Sequence, residues 1–148
     1  AYAEIQATYL VKSNSTISNI EDVDMDGKTI SVADRSAYCL WLERNIKNAK
    51  LLKVDGVENS VDNFINKDLD ALAGLRPQLM ETVKTLNDSK LLEGYFMSVQ
   101  QAIGTSKENT EASKYIADFV ENMKASGFVK KLILKHKVDG KLSVAKLA

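Results

Sequence analysis

Residues 27–45 read GKTISVADRSAYCLWLERN, and the fold follows from where this stretch changes its period. Residues 29–33, TISVA, form a short run bounded by polar residues, the pattern of a buried strand. Residues 36–48 then carry Ala37, Leu40 and Trp41 on one helical stripe and Tyr38, Leu42 and Ile46 on a second, behind Ser36 as the N-cap. A buried strand that feeds a helix through a short turn is half of a parallel crossover.

The same unit recurs downstream. Residues 51–54 read as the next strand and residues 58–66 as its helix, with Val57, Val61, Phe64 and Ile65 inward. Residues 69–73 (LDALA) read as a third strand, leading through Gly74 into a helix over 77–86. Pro77 suits its first turn, where the missing N–H had no partner. Alternating strands and helices imply an open α/β sheet, mainly parallel and covered on both faces. Upstream, residues 4–11 set Ile5, Ala7, Tyr9 and Val11 on one face of a strand against Gln6, Thr8 and Leu10 on the other. Residues 12–26 are polar, with a short helix at 18–23. Residues 90–93 and 98–104 are further strand candidates. Residues 109–126 repeat Ala112, Tyr115, Ile116, Phe119, Val120 and Met123 at helical spacing, Gly127 is the stop, and a last helix carries Phe128, Val129, Leu132 and Ile133.

Composition narrows the chemistry. The 148 residues suffice for one domain or two small lobes. Twenty basic residues balance twenty acidic ones, which removes any global attraction for nucleic acid. No apolar run is long enough to span a bilayer. Cys39 is the one cysteine and His136 the one histidine, so an internal disulfide and the usual Cys/His zinc sets are excluded. A metal would need an all-oxygen site, and no G-x-S-x-G elbow supports a nucleophilic serine.

Ligands of open α/β sheets bind beyond the carboxyl ends of the strands. Those ends carry Asp34, Arg35 and Ser36 after the first strand, residues 55–60 after the second, and Gly74, Leu75, Arg76 and Gln78 after the third. Two of the three arginines, Arg35 and Arg76, thus fall at such turns, where each is either an anion receptor or a solvated surface residue. Ser36 is either an N-cap alone or an N-cap that also holds an anion, and Gly74 would let a ligand approach the backbone. Cys39 reads as a small core residue before it reads as an activated thiol. Asp22, Asp24 and Asp26 lack the glycine and distal glutamate of a calcium loop and read as a solvated turn. Residues 124–148 hold seven lysines against Asp139, either a solvated helix face or a docking patch for an acidic partner or membrane. His136 continues the stripe of Val129, Leu132 and Ile133 as a packing residue.

Three runs in order, GKTISVADRSAYCLWL, VENSVDNFINKDLDALAG and VQQAIGTSKENTEASKYIADFVENMKASGFVKKLILKH, resemble the second lobe and C-terminal segment of family 3 extracellular solute-binding proteins. These are the amino-acid-binding periplasmic receptors of bacterial ATP-binding-cassette (ABC) importers, and the resemblance extends over residues 9–138. It implies a periplasmic-binding-protein-like type II fold, with one open, mainly parallel α/β lobe, hinge strands, and the C-terminal helices of an incomplete other lobe. On that template residues 1–11 are the first hinge strand, 12–97 lobe 2, 98–106 the return hinge strand and 107–148 the helical segment of lobe 1. The opening part of lobe 1 has no counterpart, and a start at Ala-Tyr without Met agrees with processing or truncation. An apolar face is then expected where that part would pack, one that a homodimer or helix-swapped oligomer would cover.

The resemblance further implies the substrate-binding component of an importer for amino acids or related small organic acids. Such a protein is periplasmic, non-enzymatic and free of cofactors, and its partners are a small carboxylate or amino acid and a membrane permease. The family's G-[ST]-[ST] turn, which holds the ligand carboxylate, corresponds to Arg35, Ser36 and Ala37. The family's ammonium-binding aspartate corresponds to Leu75, with Arg76 next to it. That exchange favours a ligand with an extra carboxylate or without an ammonium group. The resemblance also admits a dehydratase-type bilobal enzyme, for which Asp34, Asp55 and Glu58 are the available acids, and a ligand-sensing domain of a signalling receptor.

Overall fold

The computed structural model describes residues 1–148, which divide into two compact units, residues 6–97 and residues 1–5 with 98–148. In the first, strands β1 (Ala3–Lys12), β2 (Thr29–Ala33), β3 (Lys50–Val54), β4 (Ala71–Leu75) and β5 (Ser89–Leu91) form a sheet in the order β3-β2-β4-β1-β5. β2 runs parallel to β3 and to β4, whereas β1 is antiparallel to β4 and β5. The parallel part is therefore three strands wide, because β1 precedes the first crossover and reaches β4 from the opposite direction.

Period-two alternation explains the two layers. Ala7, Tyr9 and Val11 of β1, Ile30 and Val32 of β2, and Ala71 and Ala73 of β4 share one apolar cluster with Tyr38, Cys39 and Leu42 of α1 (Ala37–Asn45). Leu10 and Leu72 point the other way, joining Phe64 of α2 (Val57–Asn66) and Leu79 of α3 (Arg76–Thr85). Ser31 shares that second face, and its buried hydroxyl donates to the Ser60 carbonyl of α2 at 2.7 Å. Both faces of β1 are thus covered.

Several local expectations shift. The inward stripe of α1 is Tyr38, Cys39 and Leu42, with Trp41 and Ile46 half-buried, while Ala37 and Leu40 are exposed. Ile65 of α2 is also exposed, because Phe64 alone of that pair faces the sheet. The third parallel strand spans 71–75 rather than 69–73, since pairing of Gly74 with Thr8 and of Leu75 with Ala7 extends it to the N-cap of α3. The helix expected at 18–23 is a single 3-10 turn, Glu21–Val23.

Of the three aspartates of that region, Asp26 is exposed, as a solvated turn implies, whereas Asp22 and Asp24 hold neighbouring backbone. Asp24 accepts the backbone N–H groups of Lys47 (3.0 Å), Asn48 (2.8 Å) and Ala49 (2.9 Å), and Asp22 accepts those of Ser18 and Asn19. Lys28 pairs with Asp70 at 3.0 Å, and the other Asp70 oxygen accepts the Thr29 N–H at 2.8 Å.

In the second unit, the first residues of β1 pair with a short strand β7 (Ser143–Val144), Ala3 opposite Val144 and Glu4 opposite Ser143, while β6 (Met97–Gln101) also pairs with β1. Helices α4 (Thr110–Ala125) and α5 (Phe128–Lys135) follow, separated by Gly127 in the left-handed conformation at φ 77°. Val120, Val129 and Ile133 are buried, whereas Phe119, Phe128 and Leu132 stay partly open along a groove of about 390 Å³ that His136 also lines. Lys124 departs from the solvated lysine face: it is buried, its ammonium donating to the Lys146 carbonyl at 2.7 Å and pairing with Glu121 at 2.6 Å. No helix is long and apolar enough to cross a membrane.

Candidate functional site

Because β3, β2 and β4 are parallel neighbours, their carboxyl ends lie along one edge of the sheet, and the residues that follow them form the candidate site. After β2, Asp34 turns the chain: its N–H donates to the Val54 carbonyl of β3 at 2.8 Å, and its carboxylate accepts the Arg35 N–H at 2.9 Å. Arg35 adopts a left-handed φ of 58°, a conformation natural to glycine. Its guanidinium reaches Asp55 after β3 at 3.5 Å, with both side chains almost fully solvated (80% and 91% exposed), so the pair contributes little to stability.

Ser36 is the N-cap of α1. Its hydroxyl accepts the Cys39 N–H at 3.0 Å and donates to the Ala33 carbonyl at 2.7 Å, so its proton is already committed within the turn. Ala37 opens the helix and is exposed, leaving room above the first helical N–H groups. Gly56, two residues beyond the end of the neighbouring β3, is the N-cap of α2 at φ 82°.

After β4 the arrangement differs from the sequence expectation. Gly74 lies inside the strand, with its would-be Cβ directed at Leu79 of α3, so it admits a helix side chain rather than a ligand. Leu75 is half-buried and packs on the α1-side cluster. Arg76, the first residue of α3, is half-buried and held from two sides: its Nε donates to Gln6 Oε1 at 2.9 Å and its Nη2 donates to the Gly94 carbonyl. The same carbonyl accepts the hydroxyl of the fully buried Thr8 at 3.0 Å. Gln6, Thr8 and Gly94 escaped sequence reasoning, because the antiparallel register of β1 on β4 and the bonds of Leu92 and Phe96 to Tyr9 and Ala7 of β1 bring them beside Arg76.

One cluster of potential metal ligands flanks the edge: ligand atoms of Asp34, Cys39 and Glu43 lie within 4.8 Å of one another. Glu43 pairs with Lys53 at 2.6 Å, and burial, then the Glu43 charge, pushes the Cys39 thiol up from its ordinary value. Cys39 is thereby a packed core residue rather than an activated thiol.

No family model matches the chain, and no curated protein matches its sequence. Solved structures do match its fold. A solute receptor for L-cysteine of Neisseria gonorrhoeae superposes with a TM-score of 0.69 at 18% identity, over 98% of this chain and 61% of its own. The cysteine-binding protein from Campylobacter jejuni gives 0.68 at 21%, over 90% and 54%. Holo ArgBP from T. maritima gives 0.64 at 20%, over 89% and 57%. The fold is thus the type II periplasmic-binding-protein one, and this chain spans little more than half the length of the solved chains it resembles.

Proposed function

We propose that this chain, having the fold of amino-acid-binding solute-binding proteins, is the ligand-gripping second lobe of such a receptor together with hinge strands and C-terminal helices of the first. On this reading residues 1–11 and 98–106 are the hinge crossings, 12–97 the gripping lobe and 107–148 part of the other lobe. The protein is periplasmic, does no chemistry on its ligand, and serves an ABC permease by closing two lobes on an amino acid or small carboxylate.

The observation that carries this reading is the edge itself. Two of the three parallel strands, β2 and β4, end in turns that present a left-handed Arg35, the Ser36 cap, the open start of α1 at Ala37, and the fixed Arg76. These groups suit a carboxylate, and Leu75 offers no counter-charge to an ammonium. Arg35, Ser36, Ala37 and Arg76 are the contacts we assign to the ligand, with Leu75 supplying an apolar wall.

Nuclear magnetic resonance (NMR) titration of the 15N-labelled chain with a panel of amino acids and dicarboxylates tests this. We expect weak, saturable shifts confined to the amides of 35–37 and 76. Tight binding by the monomeric chain would overturn the two-lobe closure, and shifts confined to other surfaces would overturn the site.

A further inference from the structure

The surroundings of Arg76 differ from those of a structural arginine in one respect. Arg76 is half-buried as a residue, with its Nη2 end open to solvent, and its guanidinium makes two hydrogen bonds, both to neutral acceptors, Gln6 Oε1 and the Gly94 carbonyl. No carboxylate lies within ion-pair distance, although Arg35 at the same edge has Asp55, and Lys12, Lys28, Lys53, Lys84 and Lys124 are all paired. Removing a cation from water costs free energy that neutral acceptors offset less well than a carboxylate does.

The acceptors are themselves constrained. Gly94 has a left-handed φ of 79°, its carbonyl is held by the buried Thr8 hydroxyl, and Gln6 projects from β1, one position beyond the Ala7–Leu75 pair. The guanidinium plane is therefore set from two directions, while Nη1 makes no bond within the chain. A planar cation with a fixed orientation, no counter-ion and free N–H groups is an anion receptor.

We propose that Arg76 is the determinant of ligand class in the gripping lobe: it binds a carboxylate that has no compensating ammonium, as in a dicarboxylate. Gln6 and the Thr8-anchored Gly94 carbonyl are positioning residues that leave its charge unneutralised. This rests on the reading of the sheet edge as the ligand site.

The test is a titration of the labelled chain with succinate and, separately, with L-arginine, following the Arg76 Nε–H signal and the 35–37 amides. Succinate is expected to shift the Nε–H signal saturably, and L-arginine to bind more weakly. Arg76→Ala should weaken succinate binding roughly tenfold, the loss of one charge-assisted contact. Gln6→Glu is the decisive variant, because it keeps the shape and the acceptor but neutralises the guanidinium. It should abolish the succinate response at Nε–H without lowering thermal stability, whereas a purely structural Gln6 would leave succinate binding intact. Succinate shifts at 35–37 that persist unchanged in Arg76→Ala and Gln6→Glu would overturn this inference and leave the edge as a site. No saturable shift with either probe would overturn the edge reading and this inference with it.

Discussion

Leu79 of α3 lies directly over Gly74 of β4, so close that a Cβ on Gly74 would stand 3.0 Å from Leu79 Cδ2 and 3.2 Å from its Cγ. Leu79 is 1% exposed and is enclosed by its neighbours in the layer. Gly74→Ala should therefore destabilise the chain by about 1–3 kcal/mol through overpacking. In a Leu79→Ala background the same substitution should cost clearly less, since the methyl then enters the space left behind. Denaturant unfolding of the parent chain and the three variants measures this coupling, and equal costs in both backgrounds would contradict the packing described.

Asp24 gives a pH-dependent prediction. Burial alone would raise its carboxyl, but the N–H groups of Ala49, Lys47 and Asn48, with the Lys47 charge, outweigh burial and hold it below its ordinary value of 3.8. A depressed folded-state value means the stabilisation is complete above the unfolded value and is lost as pH falls through the folded one. Asp24→Ala should cost about 1–3 kcal/mol at neutral pH, where three N–H groups lose their acceptor. The gap between the two proteins should narrow as the solution is taken below the ordinary carboxyl range. A gap of constant size across that acid range would refute the assignment.

The left-handed backbone of Arg35 separates conformation from charge. Arg35→Gly and Arg35→Ala both remove the solvated pair with Asp55, but only glycine accepts φ 58° without strain. Because left-handed strain of about 1–2 kcal/mol exceeds the entropy glycine adds to the unfolded chain, the glycine variant should be the more stable by about 0.5–1 kcal/mol. Thermal melts of the pair decide it, and a more stable alanine variant would exclude strain at this turn.

Cys39 is fully buried, and burial followed by the nearby Glu43 charge raises its thiol pKa. Native protein should resist a water-soluble thiol reagent at neutral pH, with labelling that appears only as denaturant opens the α1 layer. Rapid labelling of the folded chain would show that α1 is looser than its packing on β2 and β4 implies.

Much of the architecture is legible in the amino-acid sequence. The strand at 29–33 matches β2 residue for residue, Ser36 caps α1, Gly127 breaks α4 from α5, and the odd and even residues of β1 divide between two layers. These features depend on alternation and on backbone preferences that neighbouring residues share. The candidate site is legible only in part: Arg35, Ser36 and Arg76 do stand at strand ends, but Gly74 does not open the backbone to a ligand. A glycine after an apolar run reads as a turn, and only the pairing with Thr8 keeps it in the strand.

By itself, then, the sequence determined element order, the two-faced alternation of β1 and the placing of Arg35, Ser36 and Arg76 at the carboxyl ends of parallel strands, because side-chain periodicity and capping act over a few residues. Tertiary structure alone decided that β1 lies antiparallel against β4, that Asp24 gathers the loop at 47–49, and that Arg76 is held by Gln6 and Gly94 without a counter-ion. Gln6 and Arg76 are 70 residues apart, and Thr8 and Gly94 are 86. Contacts at such separations are set by strand register and by which buried polar group has a partner, and neither is encoded in any local pattern.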